Sequence, residues 1–377
     1  MTNRTSVRGL HSVASPADGT SVLDALAGAY ERGWQPADIM HATRRSLGAG
    51  EVRLAVWAIR YEAAMSKAED RAPEQWLRQL RAIAEIEARP GPDGSSSLQR
   101  TAVTQLWRYL PRLAPECARP STWPERRTES TAPRVGVDPK VLARIRALLA
   151  KAESTEFAEE AETFTAKAQE FMTKYAITAA LLQANADTSA AADVHTRRVH
   201  LESPYVKEKA LLLSEIASTN RVRTVWFDKL AIATCVGTAI DLEQTELLFT
   251  SLLVQVTRAM ADAARRAVDS GDSGSVASFR RAFLYGFAVR IGQRLRMTGT
   301  SATAQAAAEA DVAVSAVLPV LARQSAAVDA EFERLFPATK PTRTAPVDSA
   351  GWYAGQAAAE RASLRGNDHV EGRRQAG

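Results

Sequence analysis

Residues 138–177, DPKVLARIRALLAKAESTEFAEEAETFTAKAQEFMTKYAI, decide the fold class. Asp138 is a good N-cap, and Pro139 follows at the first helical position, where its missing N–H costs nothing. Val141, Ile145, Leu148, Leu149 and Ala152 fall on one side of a first helix. Ser154 or Thr155 restarts the chain, and Phe157, Ala161, Phe164, Ala168, Phe171, Met172 and Tyr175 line a second. Spacings of three and four throughout predict an amphipathic helical hairpin over 138–182. Glu159, Glu160 and Glu162 sit in the early turns of the second helix, where the positive end of the helix dipole favours them.

Upstream, helical periodicity begins after a polar, disordered start at 1–20. Val22, Leu23, Leu26 and Tyr30 share a face, Gly33 interrupts, and Pro36 opens a helix carrying Ile39 and Met40. A turn at 47–50 precedes a helix with Leu54, Trp57, Ala58, Tyr61 and Met65 on its apolar side. Two more helices are expected at 73–87 and 98–110, completing an N-terminal helical domain at 21–110. Five prolines in 111–133 mark 111–137 as a linker.

Downstream, 183–200 is polar and reads as a second linker, and 201–336 as an α+β domain. Residues 221–227 and 230–236 are rich in Thr, Val, Ile and aromatics about a turn at Asp228-Lys229, which predicts a β-hairpin. Asp241 with Gln244 has the spacing of a capping box opening a long helix. Helices follow at 278–297 and 303–335, with Pro319 a break point in the second. The segment 337–377 reads as a Pro/Thr-rich tail, briefly helical near 352–364. The expected class is mostly α, with a small α+β C-terminal domain in which a short antiparallel hairpin or three-stranded sheet packs on helices.

Composition narrows function by exclusion. Forty-eight basic residues stand against 43 acidic, a net charge of +5 on 377 residues. No run of five like charges appears, so charge alone does not define a nucleic-acid face. The two cysteines, Cys117 and Cys235, lack metal-spaced partners and read as reduced structural thiols. The first residues have no apolar signal core, and no apolar run approaches membrane-spanning length, so a cytoplasmic protein without a membrane partner is expected.

The pattern K-x-L-x-x-I-x-x-L-L-x-K-A-x-S, carried by Lys140, Leu142, Ile145, Leu148, Leu149, Lys151, Ala152 and Ser154, resembles the domain-of-unknown-function 2786 family of bacteria and phages. Glu160, Ala161, Lys167, Ala168, Met172 and Tyr175 extend the resemblance over about forty residues. The following helix, the hairpin ending at Val236-Gly237, the Asp241 helix and the F-x-x-G-F element at Phe283, Gly286 and Phe287 look like the family's usual companion region. The alanine bias has an actinobacterial look. The resemblance implies no biochemical activity.

Catalytic motifs are absent. No P-loop, G-x-G-x-x-G, G-x-S-x-G or H-E-x-x-H occurs. His195 and His200, five apart, would face opposite sides of a strand, and neither has a ligand cluster, so no metal or cofactor is expected. The hairpin glutamates would repel phosphate if the second helix docked on DNA like a recognition helix. The best candidate is a basic rim for phosphate or an acidic partner, formed by Arg221, Arg223 and Lys229 on the β-hairpin with Arg280, Arg281, Arg290 and Arg294 on the 278–297 helix. The competing reading packs the arginine stems and leaves their heads in water. The expected function is a non-enzymatic binding or adaptor protein with a nucleic-acid or protein partner. The alternative is a hydrolase acting on nucleic acid or protein from a site in 221–296, with Asp228 and Asp241 as its carboxylates.

Overall fold

A computed structural model describes residues 16–86, 94–127, 139–154, 164, 167–168, 170–176, 194–269, 275–309, 314–339 and 348–361. The chain divides into two units, 1–132 and 133–377. It is mostly helical, with one three-stranded antiparallel sheet in the second unit.

The first unit is built from α1 (Pro16–Glu31), α2 (Pro36–Ser46), α3 (Ala49–Met65), the short α4 (Ala68–Arg71), α5 (Glu74–Ala84) and α6 (Ser97–Arg108). Leu26, Tyr30, Trp34, Ile39, Ile59, Trp76 and Trp107 form its core. Ser96 starts α6 through a reciprocal box: its hydroxyl accepts from Gln99 N at 3.2 Å, and Gln99 Oε1 accepts from Ser96 N at 2.9 Å.

The proline-rich segment expected as a linker is instead packed into this unit as far as 127. Leu110, Leu113 and Trp123 are buried, and Trp123 meets Trp76 edge-on at 5.1 Å. Prolines leave carbonyls without helical partners, and side chains of the unit supply donors. Trp34 Nε1 donates to Pro111 O at 2.7 Å, Arg32 to Trp107 O and Leu110 O, and Arg71 to Trp123 O and Pro124 O. Gly33, at φ +96°, lets the chain return, since a Cβ there would lie 2.3 Å from Leu113 O.

In the second unit the sheet order is β1 (Val194–His200), β3 (Ile232–Thr238), β2 (Arg223–Phe227). β1 pairs with β3 from Val194↔Thr238 to His200↔Ile232, and β2 pairs with β3 from Arg223↔Val236 to Phe227↔Ile232. The expected polar linker at 183–200 is corrected there: 194–200 is an edge strand, hidden in the sequence because its period-two pattern is filled by His, Thr and Arg. α8 (Val206–Thr219) and α9 (Ala239–Asp269) cover one face of the sheet, burying Ala233 and Cys235. α11 (Val314–Leu335) covers the other through Val328 and Phe332 against Val236. Pro319 lies inside α11 without ending it.

The hairpin expected over 138–182 is not a separate domain. α7 (Pro139–Ser154) and the helical residues 170–176 bury Ile145, Leu149 and Met172 in the same core as Leu248, Leu252 and Val256 of α9. α9 is long and apolar enough by composition to cross a membrane. Here its apolar stripe at Leu248, Leu252, Val256 and Met260 is buried in the unit.

The segment expected as a tail contains a core element. α12 (Ser349–Arg361) lies along α10 (Val276–Glu309) in close backbone contact. A Cβ on Gly351 would lie 2.4 Å from Phe279 O, one on Gly355 2.0 Å from Phe283 O, and one on Gly286 2.4 Å from Trp352 O. Gly351, Gly355 and Ala359 recur every four residues, so α12 presents a smooth stripe to α10. Asp348 caps α12, its Oδ1 accepting from Gly351 N at 2.8 Å.

Replacing Gly355 with Ala is expected to destabilise the second unit by about 1–3 kcal/mol, because the helices must separate. Gly28→Ala in α1, where a Cβ would meet one side-chain atom, Arg32 Nη1 at 3.3 Å, rather than backbone, is expected to change stability by about 1 kcal/mol or less, the helix-propensity gain offsetting a small shift of the hydrogen-bonded guanidinium. Urea unfolding of both variants checks the contrast.

Glu62 provides a pH test of the first unit. Its Oε2 is buried without a hydrogen-bond partner, as are Tyr30 Oη and Trp76 Nε1. Burial raises the Glu62 carboxyl above its ordinary value, opposed in part by the Ser66 hydroxyl. The folded state therefore holds that proton more tightly than the unfolded state. The Glu62 contribution is most favourable below the ordinary glutamate value and is lost as pH rises through the raised one. Glu62→Gln should match the parent protein in acid and exceed it by about 1 kcal/mol at neutral pH, a figure reduced by the side chain's partial exposure. Unfolding of the two proteins over a pH series measures the difference.

Candidate functional site

The seven basic residues of the expected rim do not converge. Arg221, in the left-handed region at φ 57°, precedes β2 and meets Asp241 Oδ1 at 2.5 Å. Arg223 meets Asp329 of α11 at 2.5 Å and lies over the Phe332 ring at 4.7 Å. Lys229 is exposed in the β2–β3 turn. α10 packs on α8, α9 and α12 rather than on β2, so its arginines belong to a different surface. Arg294 is buried and donates to Ala359 O and Glu360 O, the terminal carbonyls of α12, while Arg290 pairs with Glu360. Arg280 and Arg281 lie about 20 Å along the axis from Arg294, given 1.5 Å per residue. Arg280 is half-buried with Nε unpartnered, and Arg281 is exposed.

The carboxylates expected to serve a hydrolase are equally separated. Asp228 is 64% exposed in the turn that opens β3, with Lys207 at 3.8 Å. Asp241 is 3% exposed just beyond the other end of β3 and fully engaged. Its Oδ1 takes Arg221, and its Oδ2 accepts from the Thr238 hydroxyl at 2.9 Å. Asp241 N in turn donates to Thr238 Oγ1 at 3.3 Å. The capping pair of α9 is therefore Thr238 with Asp241, three residues earlier than the expected Asp241 with Gln244. Gln244 is instead buried and donates to Met172 O at 2.8 Å, tying the hairpin to α9.

The hairpin carries the basic surface that the rim does not. Leu142, Ile145, Leu149 and Ala152 bury one side of α7, and Lys140, Arg144, Ala147 and Lys151 are exposed along the other. Positions i, i+4, i+7 and i+11 fall within one narrow arc of a helix, about 16 Å long. Two of these cations rest on aromatic rings of the hairpin. The Arg144 guanidinium lies 4.4 Å from the Phe171 centroid, and Lys151 Nζ lies 5.3 Å from Phe164. Lys167 adds a third at 5.4 Å from Phe171 while pairing with Glu170 at 2.7 Å. A cation over a ring is held in place yet keeps its outward donors open to an anion. Arg146, on the flank, pairs with Glu243 at 2.9 Å. The acidic turns at Glu159, Glu160 and Glu162 lie outside the described residues. In the sequence Lys140 and Lys151 read as markers of the family resemblance; the exposed stripe they share with Arg144 is legible only once the buried side of the helix is assigned.

Residues 140–179 match the model of a family described as a protein of unknown function, DUF2786. The match spans the hairpin that bears the basic stripe. No curated protein and no solved structure matches the chain.

The two arginine–aspartate pairs at the start of β2, one from Arg221 just before it and one from Arg223 within it, should separate by burial. Asp241→Ala leaves Arg221 Nη2 without its carboxylate at a site where the partner was 3% exposed, and a loss of about 3–5 kcal/mol is expected. Arg223→Ala breaks a pair half open to water, and a loss of about 1 kcal/mol or less is expected. Denaturant titration of each variant measures both.

Proposed function

We propose that this chain is a non-enzymatic, cytoplasmic bacterial protein that binds nucleic acid through the exposed basic stripe of the hairpin. The observation that carries the reading is the alignment of Lys140, Arg144 and Lys151 on one face of α7, with Arg144 and Lys151 seated on Phe171 and Phe164. Three cations spaced along about 16 Å match a line of phosphates better than a single small anion. The ring contacts hold two of them extended before the ligand arrives, which lowers the ordering cost of binding. The apolar side of α7 is buried against α9, so the stripe is presented on a rigid element. Contacts of this kind read backbone charge and are indifferent to base sequence.

The test is fluorescence polarisation with labelled mixed-sequence DNA and RNA between about 50 and 200 mM salt. The parent protein should lose affinity steeply with salt. The variant K140A/R144A/K151A should bind more weakly and show a log–log salt slope smaller by about 2–3, one for each phosphate contact removed. Absent binding, or a slope unchanged in the triple variant, would overturn the reading.

A further inference from the structure

The apolar positions Leu54, Trp57, Ala58, Tyr61 and Met65 predict a buried face of α3, yet the helix sorts them otherwise. Leu54 and Ala58 are buried with Ala55, Val56 and Ile59, whereas Trp57 is half-buried, Tyr61 is 44% exposed and Met65 is 69% exposed. The exposed arc of α3 carries Arg53, Trp57, Arg60, Tyr61 and Ala64, and its two acids, Glu51 and Glu62, lie on the opposite side. Trp57 and Tyr61 are stacked, with centroids 5.2 Å apart and planes 27° from parallel. Arg53 and Arg60 are exposed with no carboxylate partner among the described residues, and sit about 10 Å apart along the axis.

We infer that this face of α3 is a stacking platform for single-stranded nucleic acid, a second contact surface on the chain. The inference takes its ligand class from the function proposed for the hairpin and concerns a different surface. An open tyrosine ring whose inner side is already stacked offers a flat outer face to an unpaired base, and any base has the π-face to use it. Two unpaired arginines flanking the rings supply the phosphate contacts that a stacked strand needs. Duplex DNA, whose bases are stacked on one another, gains nothing from Tyr61. Charge complementarity selects an anion, and the stacked pair selects one that carries flat rings.

The experiment uses the full chain with labelled oligo(dT) and with a DNA duplex, across salt. Tyr61→Ala should weaken oligo(dT) binding by about 5- to 100-fold and leave duplex binding unchanged, while Tyr61→Phe retains both. R53A/R60A should reduce the single-strand salt slope by about 1.4. If these variants bind oligo(dT) as the parent does while the hairpin triple variant does not, the platform is overturned and the hairpin reading stands. If Tyr61→Ala weakens binding and the hairpin variant does not, the platform stands and the hairpin reading falls. Competition by a poly-glutamate peptide equal to that by oligo(dT) would show a general acidic-partner surface and overturn the stacking role. An intact circular dichroism melt confirms that each variant is folded.

Discussion

The second unit depends on the first two turns of α9. Successive residues there hold different parts of the molecule. Ile240 packs on Tyr175 and Ala176, Asp241 takes Arg221 and Thr238, Glu243 pairs with Arg146, Gln244 reaches Met172 O, and Glu246 pairs with Arg197 of β1. The buried Asp241 carboxylate is the strictest of these constraints. A charge out of water is tolerated only where donors surround it, so the turn before β2, the end of β3 and the start of α9 must arrive together. The left-handed backbone at Arg221 is the local cost of aiming a guanidinium at that carboxylate.

A similar logic explains why the arginines of α10 are unsuited to an external ligand. A helix end leaves carbonyls without partners, and α12 ends against α10, where water is scarce. Arg294 supplies the missing donors, and Arg290 adds a pair with Glu360. Arginines on the border of an apolar arc are therefore ambiguous until the neighbour of that arc is known. On α7 the apolar arc is covered and its opposite side faces solvent, so Lys140, Arg144 and Lys151 point outward.

Periodicity made the helices legible, including α7, α9 and the pattern at 283–287, and β-branched composition found β2 and β3. Two elements escaped for identifiable reasons, and a third, the brief helix expected near 352–364, reads as tail where it is core. β1 is an edge strand whose alternation is written in His195, Thr196, Arg197 and Arg198, residue types that mimic a polar linker. The segment 111–127 has no period, and its contribution lies in buried Leu113 and Trp123 and in carbonyls accepting from distant side chains. α12 is small-residue helix, weak by hydropathy, but its Gly351-x-x-x-Gly355-x-x-x-Ala359 spacing was readable as a close-approach stripe. The site was harder still. Individual cations can be named from sequence, but convergence depends on which helix covers which face, and the rim failed at that step.

The order of these elements along the chain has a consequence for biosynthesis. The α10 face around Phe279, Phe283 and Gly286 is completed by α12, which emerges from the ribosome nearly seventy residues later. At about 5–20 residues per second, that face waits roughly 3–14 s for its cover. During this interval the nascent second unit lacks the helix that covers this aromatic face. A chain at this stage presents uncovered apolar surface of the kind chaperones bind, whereas the described core of the first unit is drawn from residues between Val22 and Trp123.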